Sequence, residues 1–308
     1  PGKPLLSPSD MSLLKPAKFF LGLSSALMLT SVVLLFIPGP KLSIDFTGGT
    51  MMEISLPEGT EREAVEGVLS TFESETPLGN VALSKTKDSS ILMRMRDISN
   101  DEHIALQQHL RSELGQVREL QFTTIGPTVG SSLKQRSFWA LTIAAIAIVL
   151  YIAFAFRKVP RKLSPWRFGI IAVITLVHDV LITVGIFILI SQVTSFEFDT
   201  LFITALLTII GYSVNDTIVI FDRIREDLKL GVKGSFKDVM NKAINETLSR
   251  TIITSGTTLF AALSLFIFGG TVINDFAFTF VVGIITGTYS SIYIAASIVL
   301  WYTKGQKP

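Results

Sequence analysis

Six stretches of about 20 mainly apolar residues constrain this chain more than any other feature, because a helix of about 20 residues crosses the ~30 Å hydrocarbon core of a bilayer. They run over 18–37, 138–156, 168–190, 200–221, 251–268 and 276–302. Hydrocarbon offers the backbone no hydrogen-bond partners, so each stretch is expected to be a helix. Composition agrees: 17% of the 308 residues are charged, against about a quarter in an ordinary soluble domain. The first stretch is longer than a signal-peptide core, and Pro38-Gly39-Pro40 lacks the small-x-small cleavage pattern, so it is expected to stay as an anchor.

Lys and Arg in the short loops set the side of each helix end, since positive residues are retained in the cytoplasm. Lys15 and Lys18 precede the first span, Arg157, Lys158, Arg161, Lys162 and Arg167 fill one loop, and Arg223 to Lys242 fill another. Lys304 and Lys307 follow the last span, whereas 191–199 and 269–275 carry no basic residue. Lys41, Lys134 and Arg136 flank a segment too long for the rule to count. The expected layout is a cytoplasmic tail over 1–17, the first helix over 18–37 and an external domain over 38–137. Helices two to six follow over 138–302, with cytoplasmic loops at 157–167 and 222–250, and a cytoplasmic tail closes the chain over 303–308.

Between Lys41 and Arg136 the hydropathy pattern shortens to strands and amphipathic helices. A strand over 50–55 ends at Pro57, and a helix starts near Thr60, with Thr60 and Glu63 placed as a capping box. Residues 81–85 and 91–96 read as a hairpin around Asp88-Ser89-Ser90, a second helix starts near Asn100, and 117–125 returns as a strand. The order βαββαβ implies a ferredoxin-like α+β domain, whose first and last strands lie close together and let both ends re-enter the membrane side by side.

An ionisable residue at the centre of a membrane helix costs about 2.5–3.5 kcal/mol on insertion scales, so each one is a functional candidate. Asp179, preceded by His178, lies halfway along the third span; Asp216 sits in Gly211-Tyr212-Ser213-Val214-Asn215-Asp216-Thr217 on the fourth; Arg250 opens the fifth. Thr204, Thr208, Gly211 and Asn215 recur at helical spacing beside Asp216, Arg250, Thr254 and Thr258 do so on the fifth span with Thr251 and Ser255 at their flanks, and Thr175, Asp179 and Thr183 do so on the third. Small and hydroxylated faces let membrane helices approach and hydrogen-bond, so these faces are expected to meet in one polar interior.

Each candidate also has a purely structural reading. An Asp216–Arg250 pair would fix helix register, a terminal Arg would snorkel to the interface, and His178 with the threonines would satisfy Asp179 as a static node. A lone His178 is more often structural than a metal ligand. Gly283 and Gly287 form a GxxxG packing strip. Gly48-Gly49 enters a strand, so it reads as a tight bend rather than a phosphate cradle. The chain has no cysteine, phosphate loop, catalytic triad or metal cluster in its sequence pattern, and its basic residues form no stripe with interleaved aromatics, so an enzyme, a metal site and a nucleic-acid binder are all disfavoured.

Ile44-Asp45-Phe46-Thr47-Gly48-Gly49-Thr50 is similar to the entry motif of the SecD/SecF family, with Asp45, Gly48 and Gly49 as its marked positions. His178-Asp179, the fourth-span motif running on through Phe221-Asp222-Arg223-Ile224-Arg225-Glu226, Thr247 to Ile252, and Gly287-Thr288-Tyr289-Ser290-Ser291 resemble the SecF members in particular, over essentially the whole chain. The resemblance implies a subunit in the bacterial inner membrane that pairs with SecD in a twelve-helix, pseudo-symmetric assembly related to the resistance-nodulation-division exporters. It implies SecYEG, preproteins and YajC as partners beside the lipid bilayer, and a proton gradient rather than a cofactor as energy source. Asp216 and Arg250 match positions implied in proton coupling, with Asp179 a further candidate and Asn215, Ser213, Thr217, Thr254 and His178 in support. Two other readings stand beside this one: a non-conducting scaffold of the translocase, and a stand-alone small-molecule exporter, which six helices would only half build.

Overall fold

A computed structural model describes residues 14, 16–57, 60, 62–74, 76–79, 81–85, 90–155, 165–232, 234–270 and 273–303. The expectations placed on Lys15, on the hairpin turn at 86–89, on the basic residues of 157–162, and on Lys304 and Lys307 fall outside these residues. Six helices are long and apolar enough to cross a membrane. They are α1 (Ala17–Phe36), α5 (Pro127–Ala155), α6 (Pro165–Ser191), α7 (Thr200–Lys229), α8 (Phe236–Phe268) and a last span made of α9 (Asn274–Ser290), a π-helical turn (Ser291–Ala295) and α10 (Ala296–Thr303). Contacts divide the chain into two compact units. One is Lys41–Phe138 with Ser191–Thr200, and the other is the remainder.

In the helical unit α6, α7 and the last span bury 50%, 50% and 61% of their apolar windows, against 11% for α1 and 6% for α5, so the first three form its centre. The exposed surface is Phe, Leu and Ile, among them Phe36, Phe260 and Phe268, as expected of helices whose solvent is lipid. Phe168 packs edge-on against Phe221, ring centroids 5.0 Å apart, over buried Ile224, Met240 and Ile244. The segment read as a loop at 222–250 is mostly helical. The helix runs on past the apolar stretch because Arg223 bridges to Glu226 and Glu246, at 2.7 and 2.6 Å, and the Ser235–Asp238 capping box starts α8 at once.

Glycine sets the helix crossings. A Cβ on Gly283 of α9 would lie 2.3 Å from Ile209 of α7, and one on Gly185 of α6 would lie 2.1 Å from the hydroxyl of Ser31 on α1. The expected packing role of Gly283 and Gly287 is therefore seen, against α7, while the Gly185 crossing carried no repeat that sequence reading could find.

The other unit holds α2 (Ile44–Thr47), β1 (Gly49–Ser55), α3 (Arg62–Ser70), β2 (Ala82–Lys85), β3 (Ser90–Met95), α4 (Asn100–Leu114) and β4 (Arg118–Ile125). Its antiparallel sheet has the order β2-β3-β1-β4, the strand order expected of βαββαβ. Period-two Met52 and Ile54 on β1 meet Leu106 and Leu110, four residues apart on α4, and all four are fully buried. The Ser99–Glu102 capping box opens α4. Glu102 also pairs with Arg96, and that guanidinium, aided by the Ser99 amide, holds its carboxyl down to about 2. Helix α5 begins at Pro127, 11 residues before the apolar stretch at 138, because proline suits a first helical position and hydropathy reads only the part bathed in lipid.

Candidate functional site

Asp179 on α6 is fully buried. Its Oδ1 accepts from Nδ1 of the preceding His178 at 2.8 Å. Its Oδ2 accepts from the hydroxyls of Ser213 on α7 and Ser290 on α9, the latter at 2.9 Å. The threonines stacked with it do other work: Thr175 donates to Ile171 O and Thr183 to Asp179 O, each bonding its own helix. Serines from two other helices therefore satisfy the acid, which spacing along α6 could not show.

Asp216 on α7 is 2% exposed, and its Oδ2 accepts from Ser255 Oγ of α8 at 3.0 Å. No ion pair joins it to Arg250 among the described residues; Arg250 is exposed, and its charge acts on the carboxylate from longer range. One residue further on, Thr217 Oγ1 lies 3.0 Å from Ser291 Oγ, where the last span widens into its π-helical turn. Such turns are frequent at functional sites because they break the regular backbone ladder. Ser213, Asp216 and Thr217, at i, i+3 and i+4, thus share one buried face of α7, which reaches Asp179 through Ser213, Ser255 through Asp216 and Ser291 through Thr217. A Cβ on Gly287 would stand 3.1 Å from Ser213, so the glycine makes room for that face.

The expected single polar interior is corrected here. Thr204, Thr208, Gly211 and Asn215 are exposed on the surface of this chain, while Ser213, Asp216 and Thr217 are buried. The reason is helical geometry: Asn215 and Asp216 are consecutive, about 100° apart around the axis, so they cannot share a face. On α8 the same division separates exposed Arg250 from buried Thr251 and Ser255, and Thr254 donates to the carbonyls of Arg250 and Thr251 rather than to an acid. By sequence spacing Ser255 is only a flank, and Ser290 and Ser291 only part of a family-like segment. All three are polar-atom partners of the buried acid and hydroxyl groups, and none stands out by spacing.

A second constellation surrounds the entry motif. Ser43 caps α2, and Asp45 Oδ2 accepts from both the backbone N and the hydroxyl of Thr200, at 2.9 and 2.6 Å, so it caps the first residue of α7. Leu42 and Phe198 form a parallel bridge, Lys41 donates to Ser191 O, and Arg94 pairs with Glu197 at 2.9 Å. Gly48 and Gly49 take φ of +74° and +119°, and a Cβ on Gly49 would meet Met95 O at 2.6 Å. Only glycine fits there, so the bend reading of this pair holds. No group of three His, Asp or Glu arranged to hold a metal occurs among the described residues.

The model for the C-terminal part of the protein export membrane proteins SecD/SecF matches residues 105–305, and the model for the SecD/SecF GG motif matches 33–56. A protein translocase subunit SecF from Thermobaculum terrenum is 40% identical over 292 residues, which cover 92% of this chain and 91% of that one. Another, from Calditerrivibrio nitroreducens, is 42% identical over 303 residues, covering 94% and 93%. The crystal structure of SecDF, a translocon-associated membrane protein from Thermus thermophilus, superposes with a TM-score of 0.84 at 34% identity, over 99% of this chain and 40% of that longer chain. With its apolar helices, its glycine motif and nearly all its length matched, this chain belongs to the SecD/SecF family of protein export membrane proteins, and within it to the SecF subunits.

Proposed function

We propose that this subunit pairs with SecD in the bacterial inner membrane and assists preprotein export through SecYEG by coupling proton entry at Asp216 to movement of the external domain. Both termini lie in the cytoplasm and the βαββαβ domain outside. The carrying observation is Asp216 itself: a carboxylate buried in a spanning helix, with one hydroxyl donor and no ion pair among the described residues. Protonation removes a buried charge and leaves Ser255 free to re-pair, which lets α7 shift against α8. The exposed polar strip of Thr204, Thr208, Gly211 and Asn215, with Arg250 on the next helix, supports a partner half in SecD. The energy suffices: one charge crossing ~100 mV yields about 2.3 kcal/mol, comparable to the few kcal/mol that separate two conformers.

Movement at α7 has a route outward along the chain itself, because Thr200, which Asp45 holds within the external unit, runs directly on into α7. In vesicles holding the SecD pair and the channel, Asp216→Asn is expected to leave assembly intact and abolish stimulation of export by a proton gradient. Unchanged stimulation would overturn the proposal and favour a non-conducting scaffold.

A further inference from the structure

Four polar side chains lie head to tail across three helices. Ser24 Oγ of α1 is 3.1 Å from Tyr289 OH of α9, that OH is 3.3 Å from His178 Nε2 of α6, and His178 Nδ1 is 2.8 Å from Asp179 Oδ1. Ser24 is 3% exposed, His178 2% and Asp179 0%. The imidazole also meets the Tyr289 ring edge-on, centroids 5.8 Å apart, so the ring is held where its hydroxyl reaches Nε2. Phe20 stacks on Tyr293 at 4.1 Å and packs against Tyr289, anchoring α1 beside the line.

The donors and acceptors have one consistent direction. An ionised carboxylate only accepts, so Nδ1 carries the imidazole proton toward Asp179. Nε2 is then a lone pair and accepts from the Tyr289 O–H, whose oxygen accepts from the Ser24 hydroxyl. A static acid would need no such line, because Ser213 and Ser290 already serve one carboxylate oxygen. What the line adds is an imidazole, the side chain that titrates nearest physiological pH, with a phenol leading to it from another helix.

We propose that His178 and Asp179 form one proton-binding site, and that Tyr289 delivers the proton to it from Ser24 on α1. The phenolic proton moves to Nε2, the phenolic oxygen takes its replacement from Ser24, and the incoming proton restores that hydroxyl. The dyad passes from a net charge of about −1 to neutral, as imidazolium beside carboxylate, so loading strands no isolated charge in the bundle. The groups facing it are Ser213 on α7, Tyr289 and Ser290 on α9 and Ser24 on α1; Asp216 lies one turn beyond Ser213, and no Lys or Arg pairs with the dyad among the described residues.

This site deepens the proton-coupled reading but is tested without it, by proton uptake of the chain with SecD in vesicles after a rapid pH drop. A pH-sensitive dye gives the rate and infrared difference spectra identify the carboxyl and imidazole bands. The wild type is expected to show a step that Asp179→Asn and His178→Gln each remove. Tyr289→Phe is expected to slow that step at least about tenfold, as loss of a positioned proton donor does, with the same final uptake. Asp179→Glu, which keeps the acid should the amide variant misfold, is expected to keep the step at a shifted pH. The step is also expected to survive Asp216→Asn, so failure of export coupling and failure of this site are separable. Persistence of the bands in Asp179→Asn and His178→Gln, or an unchanged rate in Tyr289→Phe, would overturn the assignment.

Discussion

Asp179 and Asp216 are both acids buried in the helical unit, and they are held in opposite ways. Asp179 accepts from three donors on three helices, whereas Asp216 accepts from Ser255 alone and feels the Arg250 charge without an ion pair among the described residues. The first acid is bound into the packing of α6, α7 and α9. The second is closer to a loose switch, beside an exposed polar strip. Burial alone therefore does not tell how firmly an acid is fixed in place; the number of donors that would be orphaned does.

The sharpest test of that contrast is to remove each acid by an apolar side chain. Asp179→Leu leaves His178 Nδ1 and Ser213 without their acceptor, Ser290 keeping the Gly287 carbonyl, and is expected to cost several kcal/mol, at about 1–3 kcal/mol each, while Asp216→Leu orphans one donor and is expected to cost about 1–3 kcal/mol. Thermal or denaturant unfolding of the two variants in detergent reads the difference, and equal losses would break the comparison.

The glycines that frame the two faces give the next effect. Gly283→Ala drives a methyl into Ile209 and is expected to destabilise by about 1–3 kcal/mol, whereas Gly211→Ala meets nothing within 4 Å and is expected to leave the isolated chain's stability unchanged. Retained stability of Gly211→Ala together with weaker co-purification with SecD would place the partner on the exposed strip.

The smallest effect belongs to a third carboxylate, outside the membrane helices. Glu102 sits at about 2 in the folded domain, so the stability its pairing with Arg96 contributes is fully present above about 4.5, declines as pH falls from there, and is lost as pH passes below about 2. On the scale of partly exposed pairs it is worth about 0.2–1 kcal/mol. Glu102→Gln should remove that pH dependence from unfolding of the domain while leaving proton uptake by the bundle acids untouched.

Much of the architecture is readable in one dimension. Six apolar stretches, the βαββαβ order, the bend at Gly48-Gly49 and the packing of Gly283 each rest on local composition or a short period, and each appears in the structure. The acids were readable too, because a charge inside an apolar stretch is conspicuous. Their partners were not. Ser255, Ser290, Tyr289 and Ser24 are ordinary residues in their own helices, and Thr204, Thr208 and Asn215, whose spacing made them conspicuous, face away from the acids.

The sequence by itself determined the membrane-spanning class, the position of the α+β insert and the identity of the buried acids, because these depend on transfer free energy and periodicity summed along the chain. Only the tertiary structure decided which hydroxyls satisfy which carboxylate, that Arg250 acts on Asp216 without an ion pair among the described residues, and that Asp45 holds Thr200. Helix rotation and crossing decide those contacts, and they are set by side chains far apart in sequence, such as Gly185 against Ser31 and Gly283 against Ile209.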